Sequence, residues 1–169
     1  MTELATLPVA GGSVTLRTAV RADVPAVVAL LADDQLGRTR ETPPDGDLSP
    51  YLRAFDLLDA DPGELLVVGV LDGEVVGTLQ LSVIPGLSRG GALRAQLEAV
   101  RVAGGQRGTG LGTALVEWAI EEARRRGCAL VQLTSDKQRP DAHRFYGRLG
   151  FRTSHEGLKL DLRSQGVSR

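Results

Sequence analysis

The chain of 169 residues has one cysteine, Cys128, and two histidines, which excludes an internal disulfide framework and a cysteine zinc cluster. Cys128 stands between "ARRRG" and the apolar run "ALVQL", a setting that suits a buried structural thiol. The carboxylates are scattered without ligand spacing, so no metal is expected. Aromatic residues make up 4% of the sequence, too few for a basic platform on which nucleic-acid bases would stack, and the net charge of −1 adds no overall excess of positive charge. No apolar run approaches the roughly 20 residues that cross a bilayer. The opening "MTELATLPVAGGSV" has no basic stretch followed by a long apolar one, so a secretory signal is not read there and a cytoplasmic location is expected.

What is present is a globular composition with 42% hydrophobic residues, enough for a proper core, and the expectation is one domain over 1–169. The near-zero charge hides an asymmetry. Residues 1–90 carry 6 basic and 13 acidic side chains, a net of −7, whereas residues 91–169 carry 14 basic and 8 acidic, a net of +6. The second half therefore suits a polyanionic ligand.

Partial alternation predicts a strand over 13–20, and Asp23 followed by Pro25 predicts an N-capped helix running to about Asp34. Residues 35–47 are rich in turn formers and read as a loop, and helical spacing resumes over 48–60. Two β-rich runs within 64–84 are split by Asp72-Gly73, a strong hairpin signal. After a turn over 85–91, residues 92–102 alternate as another strand. A helix runs from the glycine-rich stretch to about Arg126-Gly127, with Leu111, Leu115, Trp118 and Ala119 on one face. The continuous apolar run over 128–135 predicts a central buried strand. A short helix over 139–150 and a closing hairpin over 151–162, around Glu156-Gly157, complete the chain. The fold class is α/β of the α+β kind: a mixed, mostly antiparallel twisted sheet flanked by about four helices. The Asp72-Gly73 hairpin argues against a nucleotide-binding Rossmann core, which needs alternating β and α units.

The stretch "VAGGQRGTGLGTALVEW" (102–118) is the chemical centre of the sequence. A strand, a glycine-rich turn and a helix in that order form an anion site. Free N–H groups and the positive end of the helix dipole face the ligand, and glycine lets backbone approach it closely. The Walker pattern fails because Thr113 follows Gly112 without a lysine, and the dinucleotide pattern begun by Gly108-x-Gly110 fails at residue 113.

"Arg107-Gly-Thr-Gly110-Leu-Gly112" resembles the R/Q-x-x-G-x-G/A signature of the GNAT superfamily of N-acetyltransferases, and the resemblance extends from "LRTAVRADVPAVVALL" to "DAHRFYGRLGF". Its C-terminal segment, "KQRPDAHRFYGRLGFRTSHEGLKL", is similar to that of bacterial aminoalkylphosphonate N-acetyltransferases. The resemblance implies that the backbone of Arg107, Gly108, Thr109, Gly110, Leu111 and Gly112 cradles the pyrophosphate of acetyl-CoA. It also implies that Val100, Arg101 and Val102 present amides to the pantetheine arm. Tyr146, in "HRFYGRLGF", matches the tyrosine that protonates the departing thiolate, and Glu98 stands where an acidic residue serves as base. His143 and His155 are alternative participants at the site. Many relatives have an asparagine where this chain has Arg139, a departure that replaces a pantetheine contact with a residue able to reach a phosphate.

The implied acceptor is a small-molecule amine, with no nucleic acid or membrane partner, and the resemblance allows a homodimer. Glu41, Asp45 and Asp47 would attract a cation, whereas Arg38 and Arg40 would hold an acidic group, and a protein amine is also compatible. The alternative class is a non-catalytic acyl-CoA-binding or regulatory module, whose sign would be a lost proton donor.

Overall fold

A computed structural model of the chain describes residues 1–33, 41 and 46–162. The chain divides into two compact units, Met1–Leu133 and Thr134–Arg169. The first contains β1 (Glu3–Val9), β2 (Gly12–Thr18), α1 (Val24–Ala32), α2 (Ser49–Ala60), β3 (Glu64–Leu71) and β4 (Glu74–Ile84). These are followed by the single irregular turn α3 (Ser88–Gly91), then β5 (Leu93–Val102), α4 (Leu111–Arg125) and β6 (Cys128–Leu133). The strands form one six-stranded sheet in chain order. Every neighbouring pair is antiparallel except β5 and β6. A parallel pair requires a crossover, which α4 provides. The sheet is thus mixed and mostly antiparallel, as the hairpin signals indicated. At the β3–β4 turn, Asp72 (φ 51°) and Gly73 (φ 84°) are both left-handed, the conformation that a tight two-residue turn demands.

The sheet has two different faces. Gly77, Leu79, Leu81, Val67 and Leu97 share one by alternation and register. Here α4 lies so close that a Cβ on Gly77 would stand 3.1 Å from Leu115 Cδ1 and 3.4 Å from Leu111 Cδ2. Leu111, Leu115, Val116, Ala119 and Ala123 of α4 are wholly buried, and each of the leucine and valine side chains contributes about 1.5–3 kcal/mol by its burial. On the opposite face Val68 packs with Ala19, Val24, Val27, Val28 and Phe55, joining α1 and α2 to the sheet, with Leu66 and Val70 of β3 against them.

Asp23 does occupy the N-cap of α1, but its carboxylate does not cap the helix. It accepts from Arg17 Nη1 and Nη2 (2.7 and 2.8 Å) and from the Val20 N–H (2.8 Å), fastening the β2-to-α1 turn. The Arg17 hydrogen bond holds the Asp23 pKa below the ordinary carboxylate value, against the opposing effect of burial.

Three further expectations are corrected. β1 is an additional strand, paired with β2. β6 is not central: it ends the sheet, pairs with β5, and has no fully buried residue. An apolar run reports burial of its own side chains and leaves the number of neighbouring strands open. The closing hairpin is absent, since the described residues of 151–162 contain no strand. Leu158, Leu160 and Leu162 keep the strand-like alternation yet are exposed, because no described strand takes up their backbone hydrogen bonds. Cys128, opening β6, is half-buried, and burial pushes its thiol pKa up.

The second unit is built on α5 (Pro140–Arg148), with Pro140 in its first turn and Gly150 (φ 89°) just beyond its end. Tyr146 stands edge-on between Phe145 and Phe151, with ring centroids 5.0 and 5.7 Å away.

Candidate active site

The first unit concentrates its unusual backbone in β5 and the loop that follows. Up to Leu97, β5 is paired on both sides: Leu97 stands opposite Leu81 of β4 and Leu133 of β6. Then both ladders change. On the β4 side Gln80 pairs with Glu98 but Thr78 pairs with Arg101, so Ala99 and Val100 together oppose Leu79. This is a β-bulge, and Ala99 has φ 53°, a left-handed conformation that costs a residue with a Cβ about 1–2 kcal/mol. On the β6 side, pairing with β5 stops at Leu97. Residues 98–102 therefore present a strand edge with no partner strand among the described residues. This edge holds Val100, Arg101 and Val102, the three residues assigned to the pantetheine arm, and an amide-containing ligand can add to it as a further strand would.

The chain then makes a 3-10 turn, Gly104–Gln106, and enters the glycine loop. Gly108 (φ 83°) and Gly110 (φ 94°) are left-handed, and nothing lies within 4 Å of where a Cβ would stand on either. The loop is thus open on its outer side, and its conformation suits glycine. Gly110 caps α4 without a side-chain hydrogen bond, and the first helical bond runs from the Ala114 N–H to the Gly110 carbonyl (3.0 Å). The N–H groups of Leu111, Gly112 and Thr113 precede that bond and lie at the positive end of a 15-residue helix. Leu111 is fully buried and anchors this end in the core, while Thr109 Oγ1 donates to the Gln106 carbonyl (2.8 Å) and braces the loop. The arrangement fits a phosphate or pyrophosphate. Arg107, on the rim, donates from Nη2 to both the Asp33 carbonyl and Asp33 Oδ2, each at 2.8 Å, so its charge is already engaged at the end of α1.

Glu98 is exposed at the start of the bulge, and Oε1 accepts from Gln96 Nε2 (3.1 Å). It belongs to a polar row that composition and periodicity did not disclose. Glu64, Ser82, Gln96 and Gln132 stand opposite one another across β3, β4, β5 and β6. Glu64 Oε2 accepts from Ser82 Oγ (2.7 Å) and from Gln80 Nε2 (2.8 Å), and Gln132 Nε2 donates to Gln96 Oε1 (2.8 Å). The row lies on the face that α1 and α2 share, beside their apolar cluster. No one strand marks the row as a site, and the signal exists only once the register is known.

The remaining candidates fall on the second unit. Arg139 is the N-cap residue of α5, His143 and Tyr146 lie on that helix, and His155 follows it. His143 Nε2 hydrogen-bonds the Asp136 carbonyl (2.9 Å), which ties the helix to its preceding turn, and His155 Nδ1 meets Ser154 Oγ (2.8 Å). In the first unit, Glu41 Oε2 accepts from the Tyr51 hydroxyl (2.8 Å), and Asp47 Oδ1 accepts from the Ser49 N–H (2.9 Å). Arg38, Arg40 and Asp45 lie outside the described residues. Among the described residues no helix is long and apolar enough to cross a membrane, and no group of three His, Cys, Asp or Glu side chains could hold a metal ion.

Comparison with known proteins bears on this geometry. The acetyltransferase (GNAT) family model matches residues 29–151. An aminoalkylphosphonate N-acetyltransferase from Salmonella typhimurium is 36% identical over 95 residues, 56% of this chain and 61% of that protein. A glucosamine 6-phosphate N-acetyltransferase from Trypanosoma brucei brucei is 40% identical over 91 residues, 53% of this chain and 59% of that protein. The chain thus spans about three fifths of the length of these curated relatives. Among solved structures, one described as a transcriptional regulator from Bacillus halodurans C-125 superposes with a TM-score of 0.84 at 49% identity, covering 88% of this chain and 99% of that one.

Proposed function

The chain belongs to the GNAT family of acetyltransferases, and on that premise we propose that it moves an acetyl group from acetyl-CoA directly to the primary amine of a small molecule. The observation that carries this reading is the coincidence, in one strand and loop, of the bulged free edge at 98–102 with the open left-handed glycines at 108 and 110. The first suits an amide-bearing arm and the second a pyrophosphate. The two curated relatives differ in acceptor skeleton but share an amine together with a phosphonate or phosphate. We assign that class of acceptor to this chain.

In this proposal acetyl-CoA supplies an activated thioester, and the chain's residues bind it and manage protons. The backbone N–H groups of Gly108, Gly110, Leu111 and Gly112 hold the pyrophosphate, with Thr109 keeping its own N–H on the Gln106 carbonyl (3.4 Å), and those of Val100 and Val102, on either side of the β4-facing Arg101, align the arm and polarise the carbonyl. Arg139 adds positive charge toward the phosphates, while Arg107, held by Asp33, braces the rim of the loop. Glu98 removes a proton from the ammonium, directly or through water, so that the nitrogen lone pair can attack the carbonyl carbon. As the C–N bond forms and the C–S bond breaks, the Tyr146 hydroxyl gives its proton to the departing thiolate, and the phenolate takes up, directly or through water, the second proton that the nitrogen sheds on becoming an amide. Residues 1–169 act as one catalytic domain in this proposal, in the cytoplasm and without a metal, nucleic acid or membrane partner; a homodimer is compatible with it.

Thiol release from acetyl-CoA, followed across aminoalkylphosphonates, amino-sugar phosphates, polyamines, amino acids and lysine peptides, tests the reading. Turnover on the first two classes is expected, with Tyr146→Phe lowering kcat about 100-fold or more. A second reading, an acyl-CoA-binding regulatory module, draws on the 49% identity to the protein described as a transcriptional regulator. Tight CoA binding with no turnover on any amine would favour it.

A further inference from the structure

The polar row leaves one side chain unaccounted for. Arg94 lies on β5 two residues before Gln96 and four before Glu98, and strand alternation puts all three on one face. Its neighbours in register are Ile84 of β4 and Leu130 of β6, both apolar. The residue is only partly exposed, and its Nε is buried without a hydrogen-bond partner. No carboxylate among the described residues pairs with its guanidinium. Arg17, Arg21, Arg107 and Arg126, by contrast, each have an acidic partner. Holding Nε between two aliphatic residues without a partner costs desolvation that no protein group offsets, and a planar fork of N–H donors is the side chain best matched to a phosphoryl, phosphonyl or carboxyl group.

Resting on the acyl-transfer reading, we propose that Arg94 is the anion anchor of the acceptor and sets the enzyme's preference for amines that carry an oxyanion. The geometry supports a two-ended ligand. Glu98, at the bulge, is the negative end of the strip and faces the ammonium. Arg94 is the positive end, with Cα about 13 Å away along the strand, a distance that two long side chains shorten to the span of a compact zwitterion. Gln96 stands between them with both ends of its amide engaged, its oxygen by Gln132 and its nitrogen by Glu98, so the middle of the strip is polar and uncharged. A doubly cationic amine meets repulsion at Arg94, and an amine with an apolar tail leaves the guanidinium unsatisfied.

The test compares matched pairs of acceptors that differ only in the anion: 2-aminoethylphosphonate and 3-aminopropanoate against propylamine, and glucosamine 6-phosphate against glucosamine. The readout is the ratio of kcat/KM within each pair, for the wild type, Arg94→Gln and Arg94→Lys. Arg94→Gln is expected to lower the preference for the anionic member about 10- to 100-fold, chiefly through KM, with Arg94→Lys restoring part of it. The phosphonate and carboxylate arms show which oxyanion the fork serves. A preference that survives in Arg94→Gln overturns the proposal, as does a loss equal for both members of each pair.

Should the wild type acetylate no amine, calorimetric titration with 2-aminoethylphosphonate separates the two readings. Binding to the wild type that is lost in a folded Arg94→Gln variant upholds the anchor while the transferase reading falls. Binding to neither protein, or equally to both, overturns the anchor as well.

Discussion

Residues 93–97 and 98–102 are consecutive halves of β5, similar in length and in apolar content, yet they are built for different purposes. The first half is held by ladders on both sides, and Ala95 and Leu97 lie at 0% and 2% exposure beneath α4. The second has lost β6, is displaced from β4 by a bulge, carries left-handed Ala99 and leads into an open glycine loop. Stability is concentrated where hydrogen bonds and apolar packing are complete. The capacity to bind is concentrated where the same strand leaves its edge open, and the strain at Ala99 is supported by the well-packed half beside it.

The largest effect should come from the packed half. Leu97→Ala removes a buried side chain from the α4 face and should cost about 2–5 kcal/mol in denaturant unfolding, while acetyl-CoA affinity of the folded protein stays near that of the wild type. Next is the Arg17–Asp23 pair, which lies outside β5 and reports on global stability. Asp23→Asn should cost about 1–3 kcal/mol. Because the native Asp23 pKa is depressed, its contribution is complete above the ordinary carboxylate range near about pH 4 and is lost as pH falls through the native value. Acid unfolding curves should therefore be shallower in the variant. Amide exchange should speed up in the packed half, which opens globally, and change little at 98–102, which opens locally.

Gly110→Ala forces a Cβ into φ 94° and should cost about 1–2 kcal/mol, with weaker acetyl-CoA binding as its functional sign. The smallest effect is the most discriminating. Ala99→Gly should stabilise the protein by up to about 1 kcal/mol by relieving the left-handed strain, whereas Ala95→Gly, in regular strand, should destabilise it by about the same amount. Thermal denaturation of the two variants checks for this reversal of sign within one strand.

The sequence disclosed the second half's neighbourhood better than its geometry. Strand, glycines and helix were readable over 92–126 because helix propensity, the glycine pattern and the basic last turn agree there. The Asp72-Gly73 turn was readable because that dipeptide accepts the two left-handed positions a tight hairpin needs. The bulge was not, since Ala99 carries no local mark of a left-handed backbone and only the partner strand reveals the displaced register. β1 was hidden by Pro8, which interrupts its run and is tolerated because β1 ends the sheet. Asp23 looked like a cap by position, but Arg17, at the end of the preceding strand, claimed it. At 128–133 and 151–162 the apolar pattern was real, and what it could not specify was the neighbour. The polar row and Arg94 have the same origin: they become a surface only when four strands are set in register.

The central claim is that residues 98–102 and the glycine loop form one receiving surface for acetyl-CoA. Hydrogen–deuterium exchange, measured with and without acetyl-CoA, tests it most directly. The account predicts new protection at 98–102 and at 107–112, with residues 93–97 slow to exchange in both states. Protection that appears elsewhere while these two segments exchange as before would contradict it.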